Sequence, residues 1–165
     1  MSNQEFTTTT SSNVRDDGPP YGRGEPLLTT GAVRDMLQFL LGSANQRQVW
    51  LFHFDENGAI IDPIMPMDGL PNSPDEIVGT SDLGRVTFAT VLSDRIMGIM
   101  EMIDAASCGL VWERRGSDRC SPNDIAWASD LAHYLAVAGV TLRAQFLLHN
   151  DGLRELTTAD LSARR

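Results

Sequence analysis

With 165 residues, the chain is long enough for one domain that buries about two thirds of the surface its unfolded form would expose. A hydrophobic content of 42% and a charged content of 21% are ordinary for a globular protein. The net charge of −9 counts against non-specific binding to nucleic acid or to an anionic membrane, and the absence of lysine (all 13 basic residues are arginine) excludes lysine-based catalysis.

Residues 1–26, "MSNQEFTTTTSSNVRDDGPPYGRGEP", are polar and nearly free of aliphatic side chains, so a disordered N-terminal tail is predicted there. "GAVRDMLQFLLGS" (31–43) places Val33, Met36, Leu37, Leu40 and Leu41 on one helical stripe ending near Gly42. "QVWLFHF" (48–54) reads as a strand, and Asp55-Glu56-Asn57-Gly58 turns it into "AIIDPIMPM" (59–67). Pro63 and Pro66 make that second strand an irregular one or an edge. A loop (67–76) follows. A long helix is then predicted over 82–104, capped by Asp82 and weakened by Gly84 and Gly98.

"SCGLVWE" (107–113) is the short, nearly continuous apolar run of a central strand. Ser121-Pro122 opens a helix that stops at Gly139. A second hairpin is predicted around Asn150-Asp151-Gly152. The end of the chain, 158–165, reads as a frayed tail. The predicted fold is an α/β (α+β) sandwich with a mixed central sheet flanked by helices, in one domain spanning 27–157.

No apolar run approaches the ~18 residues of a membrane span, and the N-terminus lacks a basic-then-apolar leader pattern. Cys108 and Cys120 are too few for a zinc knuckle or a disulfide framework. A cytoplasmic protein with free thiols and no membrane association is therefore expected.

Five stretches, taken in order, carry a resemblance: "RQVWLFHFDENGAII", "IVGTSDLGRVTFATVL", "CGLVWERRGSD", "CSPNDIAWASDLAHYLAVAGV" and "FLLHNDGLREL". Together they resemble the RadC-type branch of the JAB/MPN metalloprotease-like family, over roughly residues 45 to 157. The resemblance implies a cytidine-deaminase-like sandwich. Active members hold zinc with a His-x-His pair and an aspartate from the following helix, leaving one position for water, and a glutamate from the first strand acts as base. Three ligands and an open position are what lower a zinc-bound water's pKa to about 7.

By that resemblance, Asp124 matches the helix aspartate, and its spacing from Glu113 matches the family. Val111 and Glu113 then occupy the two histidine positions. Gly116 and Ser121 keep the motif's glycine and serine, whereas Arg114 and Arg115 replace its Pro-Ser pair. The base falls near Arg47 or Gln48, and a late-strand Asp-His pair falls near Gln145-Phe146. What the resemblance implies is a domain without catalytic zinc or any other cofactor. If the site were active, Glu113, Ser121 and Asp124 would carry it, and Glu113 with Asp124 would hold a weak oxygen-ligated ion.

Simpler roles stand beside these. Ser121 and Asp124 suit the first turn of a helix as cap and dipole partner. His53, His133 and His149 are scattered and read as structural. Cys120, at a helix start near arginines, is a free thiol or one with a lowered pKa. Arg114, Arg115 and Arg119 form a dense basic patch, either a solvated turn or a site for carboxylates or phosphates. Replacing Arg114 and Arg115 with alanine is expected to leave stability nearly unchanged. Glu113 and Asp124 are expected to share a pocket in which both approach arginines. The helix bearing Met97, Met100 and Met102 is core filling or, if Ile96, Ile99, Met100 and Ile103 are not all consumed, a docking patch.

Two functions follow: a catalytically inactive module that binds a protein partner or itself, or a metal-dependent hydrolase rebuilt at Glu113 and Asp124. A nucleic-acid role is disfavoured by the charge.

Overall fold

The computed structural model describes residues 18–162. Among them are α1 (Thr30–Leu41), β1 (Gln48–Phe54), β2 (Ile60–Met67), β3 (Ile77–Thr80), β4 (Gly84–Thr87), α2 (Phe88–Ile103), β5 (Ser107–Glu113), α3 (Pro122–Val137), β6 (Leu142–His149), β7 (Gly152–Glu155) and α4 (Thr158–Ser162). Five strands form a mixed sheet in the order β2-β1-β5-β6-β7, and β3 pairs with β4 in a separate hairpin. Only β5 and β6 run parallel, a pairing that requires a crossover, and α3 is that crossover. The run at 107–113 takes the central position its composition predicts, with every residue from Cys108 to Glu113 buried.

Strand alternation sorts the core into two layers. Phe52, Phe54, Val111, Phe146 and Leu148 face α1, packing on Leu27, Val33 and Leu37. Val49, Leu51, Leu110, Trp112 and Leu147 face the opposite way, onto Leu92 and Ile96 of α2 and Ala128, Leu131 and Leu135 of α3. Phe52, Phe54 and Phe146 are fully buried, and each such side chain contributes about 1.5–3 kcal/mol by leaving water. Phe52 also fixes the residue opposite it. A Cβ on Gly109, its cross-strand partner, would lie 2.1 Å from the ring. Only glycine fits there.

The helix expected over 82–104 starts later. Residues 84–87 are β4, and Thr87 is the N-cap, accepting from the Thr90 amide. Gly84 (φ 74°) makes the tight turn of the β3–β4 hairpin, a conformation glycine adopts without a side-chain penalty. Asp82 sits in that turn and pairs with Arg95 of α2 at 2.7 Å, so it tethers the hairpin and does not cap the helix. The helical spacing from Phe88 onward holds, but Ile96 and Met100 are buried and Ile99 packs against the same core. The apolar anchors are largely consumed.

At both ends of the described residues the chain makes contacts with the domain. Pro26 bridges Ala59, and Arg23 pairs with Asp62 at 2.8 Å, so 18–26 lies against β2; the expectation for 1–17 lies outside the described residues. At the other end, 158–162 is helical. Thr157 and Asp160 exchange hydrogen bonds across its first turn, Arg154 pairs with Asp160 at 2.6 Å, and Leu161 packs on the core. Both hairpins, at 55–58 and 150–152, form as their turn residues predict. No helix among the described residues is long and apolar enough to cross a membrane.

Candidate functional site

The corner between β5 and α3 is built from the strand's last residues, the turn at 114–121 and the first turn of α3. Alternation directs Val111 and Glu113 to the α1 face. Val111 is wholly buried in the apolar layer under α1. The helix carrying Asp124 packs on the other face, so the sheet separates Val111 from it, and the expected match that set Val111 and Asp124 around one ion does not hold.

Glu113 lies at the strand's end, 3% exposed. Its Oε2 accepts from the amides of Asn45 (2.6 Å) and Gln46 (2.9 Å), and its Oε1 from Gln48 Nε2 (2.9 Å) and Trp50 Nε1 (2.8 Å). Burial acts to raise its pKa. The bonds from Gln46, Gln48, Trp50 and Asn45 outweigh that and hold the carboxyl below its ordinary range. A carboxylate has about four lone-pair sites, and four donors occupy them.

Asp124 closes a reciprocal cap with Ser121: its Oδ2 accepts from the Ser121 amide at 2.8 Å, and its own amide donates to Ser121 Oγ at 3.1 Å. Arg114 adds a fork to the same oxygen, Nη2 at 2.9 Å and Nε at 3.1 Å. The Arg114 guanidinium also donates to the carbonyls of Ser117 (2.6 Å) and Arg119 (2.8 Å), bracing the turn on itself. Gly116 (φ 132°) leaves room for this, since a Cβ there would lie 2.9 Å from Arg114 Nη1.

Glu113 and Asp124 do line one cleft, of about 30 Å³, shared with Gln48, Arg114, Trp112 and Trp127. That volume is on the order of one water molecule. The expectation that both carboxylates approach arginines holds for Asp124 alone, because Glu113 is reached first by backbone and neutral side-chain donors. The arginine patch is also divided. Arg114 is turned inward, Arg115 donates to the Asn45 carbonyl at 2.9 Å, and Arg119 is exposed. The contacts of Arg114 lead to a larger expected effect for its replacement than for that of Arg115.

At the position matched to the base, Arg47 donates to the carbonyls of Leu70 and Pro71, and Gln48 is one of the Glu113 donors. Gln145 is buried, accepting from Trp112 Nε1 at 2.7 Å and donating to the Ala128 carbonyl at 2.9 Å. Asn45 and Gln46 are polar residues before β1 and Trp50 lies within it; no local signal marks them, because the β1–β5 register is what brings them to Glu113.

This donor set does not fit the family's zinc. One position is a buried valine, the lone pairs of Glu113 are directed at four protein donors, and one oxygen of Asp124 is taken by Arg114 and Ser121. Among the described residues, no three His, Cys, Asp or Glu side chains converge as a metal site requires. A roomier, mostly apolar cavity of about 340 Å³ lies elsewhere, between α1, β2 and the segment before α1, with Tyr21, Met36, Phe39, Leu40, Ile60 and Ile64 in its lining. None of the predicted site residues reaches it.

No protein-family model matches the chain, and no curated protein matches it.

Proposed function

We propose that the chain is a catalytically inactive RadC/JAB-like domain that acts by binding, either to a protein partner or to another copy of itself. The observation that carries this reading is the saturation of Glu113. A ligand or general base needs a lone pair directed at the reacting centre, and all four sites of this carboxylate are taken by Asn45, Gln46, Gln48 and Trp50. Asp124 is likewise engaged by Arg114 and Ser121. The corner keeps a helix cap at Ser121 and Asp124, and its polar groups serve to hold the turn. A hydrolase rebuilt at Glu113 and Asp124 would first have to break these bonds.

The two free cysteines suit a reducing compartment, and a cytoplasmic location is part of the proposal. The acidic surface favours protein over nucleic acid as the partner.

The test combines elemental analysis of dialysed protein with peptidase and isopeptidase assays in added zinc, magnesium and manganese. Expected are no stoichiometric zinc and no turnover. Metal-dependent turnover that disappears in Glu113→Gln or Asp124→Asn would overturn the proposal.

A further inference from the structure

Two helices of 16 residues, α2 and α3, end beside one another. Between their C-terminal ends lies a groove of about 310 Å³ whose lining includes Met97, Met100, Glu101, Asp104, Ala138 and Val140. Each helix end carries roughly half a negative charge from its aligned peptide dipoles, and a basic residue in the last turn would ordinarily offset it. Neither helix has one. Glu101 and Asp104 are exposed and add two carboxylates to the same rim. The nearest arginine along α2, Arg95, is held by Asp82 and Asp94.

The floor is of another kind. Met100 is 8% exposed and Met97 half-buried, and thioether side chains adapt to the shape of whatever covers them. Close by in sequence, Met102 on α2 (84% exposed) and Val137 on α3 (74%) leave large apolar side chains in water. The groove thus joins an apolar floor to a rim with two exposed carboxylates, and neither helix has a basic residue in its last turn.

We propose that this groove docks a basic segment of a partner protein, with an apolar side chain seated over Met97 and Met100 and flanking lysines or arginines meeting Glu101, Asp104 and the two helix ends. Charge complementarity selects this occupant. A second copy of a chain with net charge −9 would bring like charge to the rim. The inference rests on the binding reading above and names the surface and the partner's chemistry.

The test titrates the intact protein, with ¹³C-methyl methionine, against an amphipathic leucine/lysine peptide and its leucine/glutamate counterpart. Expected is saturable one-to-one binding of the lysine peptide only, with the methyl shifts centred on Met97 and Met100. The double variant Glu101→Gln/Asp104→Asn should weaken binding on the order of tenfold. The control Glu56→Gln/Asp75→Asn, at exposed acids elsewhere, should change it less than about twofold. Asparagine tolerates the left-handed backbone of residue 104 (φ 54°), so the variant keeps the helix end.

Equal weakening in both double variants, shifts centred elsewhere, or no saturable binding would overturn the inference. So would a concentration-dependent dimer that produces the same methyl shifts without peptide. Those outcomes leave the catalytically inactive reading in place, whereas metal-dependent turnover would remove that reading and leave the groove result standing.

Discussion

Gln48 and Glu113 stand directly opposite one another across the β1–β5 ladder, and the Gln48 amide donates to the Glu113 carboxylate at 2.9 Å. This pair, with the Trp50 indole and the two amides at 45 and 46, makes Glu113 an anchor for the loop between α1 and β1. The Arg115 guanidinium binds the Asn45 carbonyl, so the same loop is held from a second point.

Glu113→Gln replaces one acceptor oxygen with a donor and leaves two of the four donors facing an NH₂ group. The expected destabilisation is about 2–4 kcal/mol, from two partly buried donors losing their acceptor. Urea unfolding midpoints at neutral pH would measure it. The pH dependence has a definite sign. The folded pKa lies below the ordinary 4.5, so the contribution is present above that value and is lost as pH falls through the folded pKa. The Gln variant should lose that part of the acid dependence.

Arg114 and Arg115, adjacent in sequence, should behave differently. Arg114→Ala removes the partner of a largely buried carboxylate and two turn-bracing bonds, at an expected cost of about 1–3 kcal/mol. Arg115→Ala should fall within about 0.5 kcal/mol. Thermal melts of the two single variants, run side by side, decide the point; equal effects would contradict the geometry.

His53 is fully buried in β1, and neither ring nitrogen has a hydrogen-bond partner. Burial lowers its pKa below the ordinary 6.5 and outweighs the opposing effect of the nearby Pro63 backbone. The unfolded chain therefore takes up a proton that the folded one resists. Stability should be full above about pH 6.5 and decline as pH falls from there towards the folded pKa. His53→Leu, which removes an unsatisfied polar group, should flatten the decline between about pH 7 and 5. Denaturant midpoints across that range would show it, and an unchanged slope would refute the assignment.

Gly109→Ala sets a Cβ against the Phe52 ring. The expected cost is about 1–3 kcal/mol, the usual range for overpacking. If the ring is the cause, Phe52→Leu should make the alanine much better tolerated, so that the double variant is less destabilised than the two singles summed. Additive losses would place the strain elsewhere.

Periodicity alone makes several elements legible. The apolar run at 107–113 reads as a central strand, Ser121-Pro122 as a helix start and Asn150-Asp151-Gly152 as a hairpin, because each signal lies within a few consecutive residues. The stretch at 82–87 misleads for the same local reason. Asp82 looks like a cap until Gly84 closes the hairpin and Thr87 takes the capping role.

By itself, the sequence determined that no histidine stands at 111 or 113 and that Ser121 and Asp124 open α3, since a capping box is complete within four residues. What Glu113 does was decided only by the tertiary structure. Its donors come from residues 45 to 50, and the bond to Asn45 spans 68 positions of the chain. Their convergence depends on the β1–β5 register and on the path of one loop. A carboxylate's chemistry is set by the groups that reach its lone pairs, and those groups meet only once the sheet has formed.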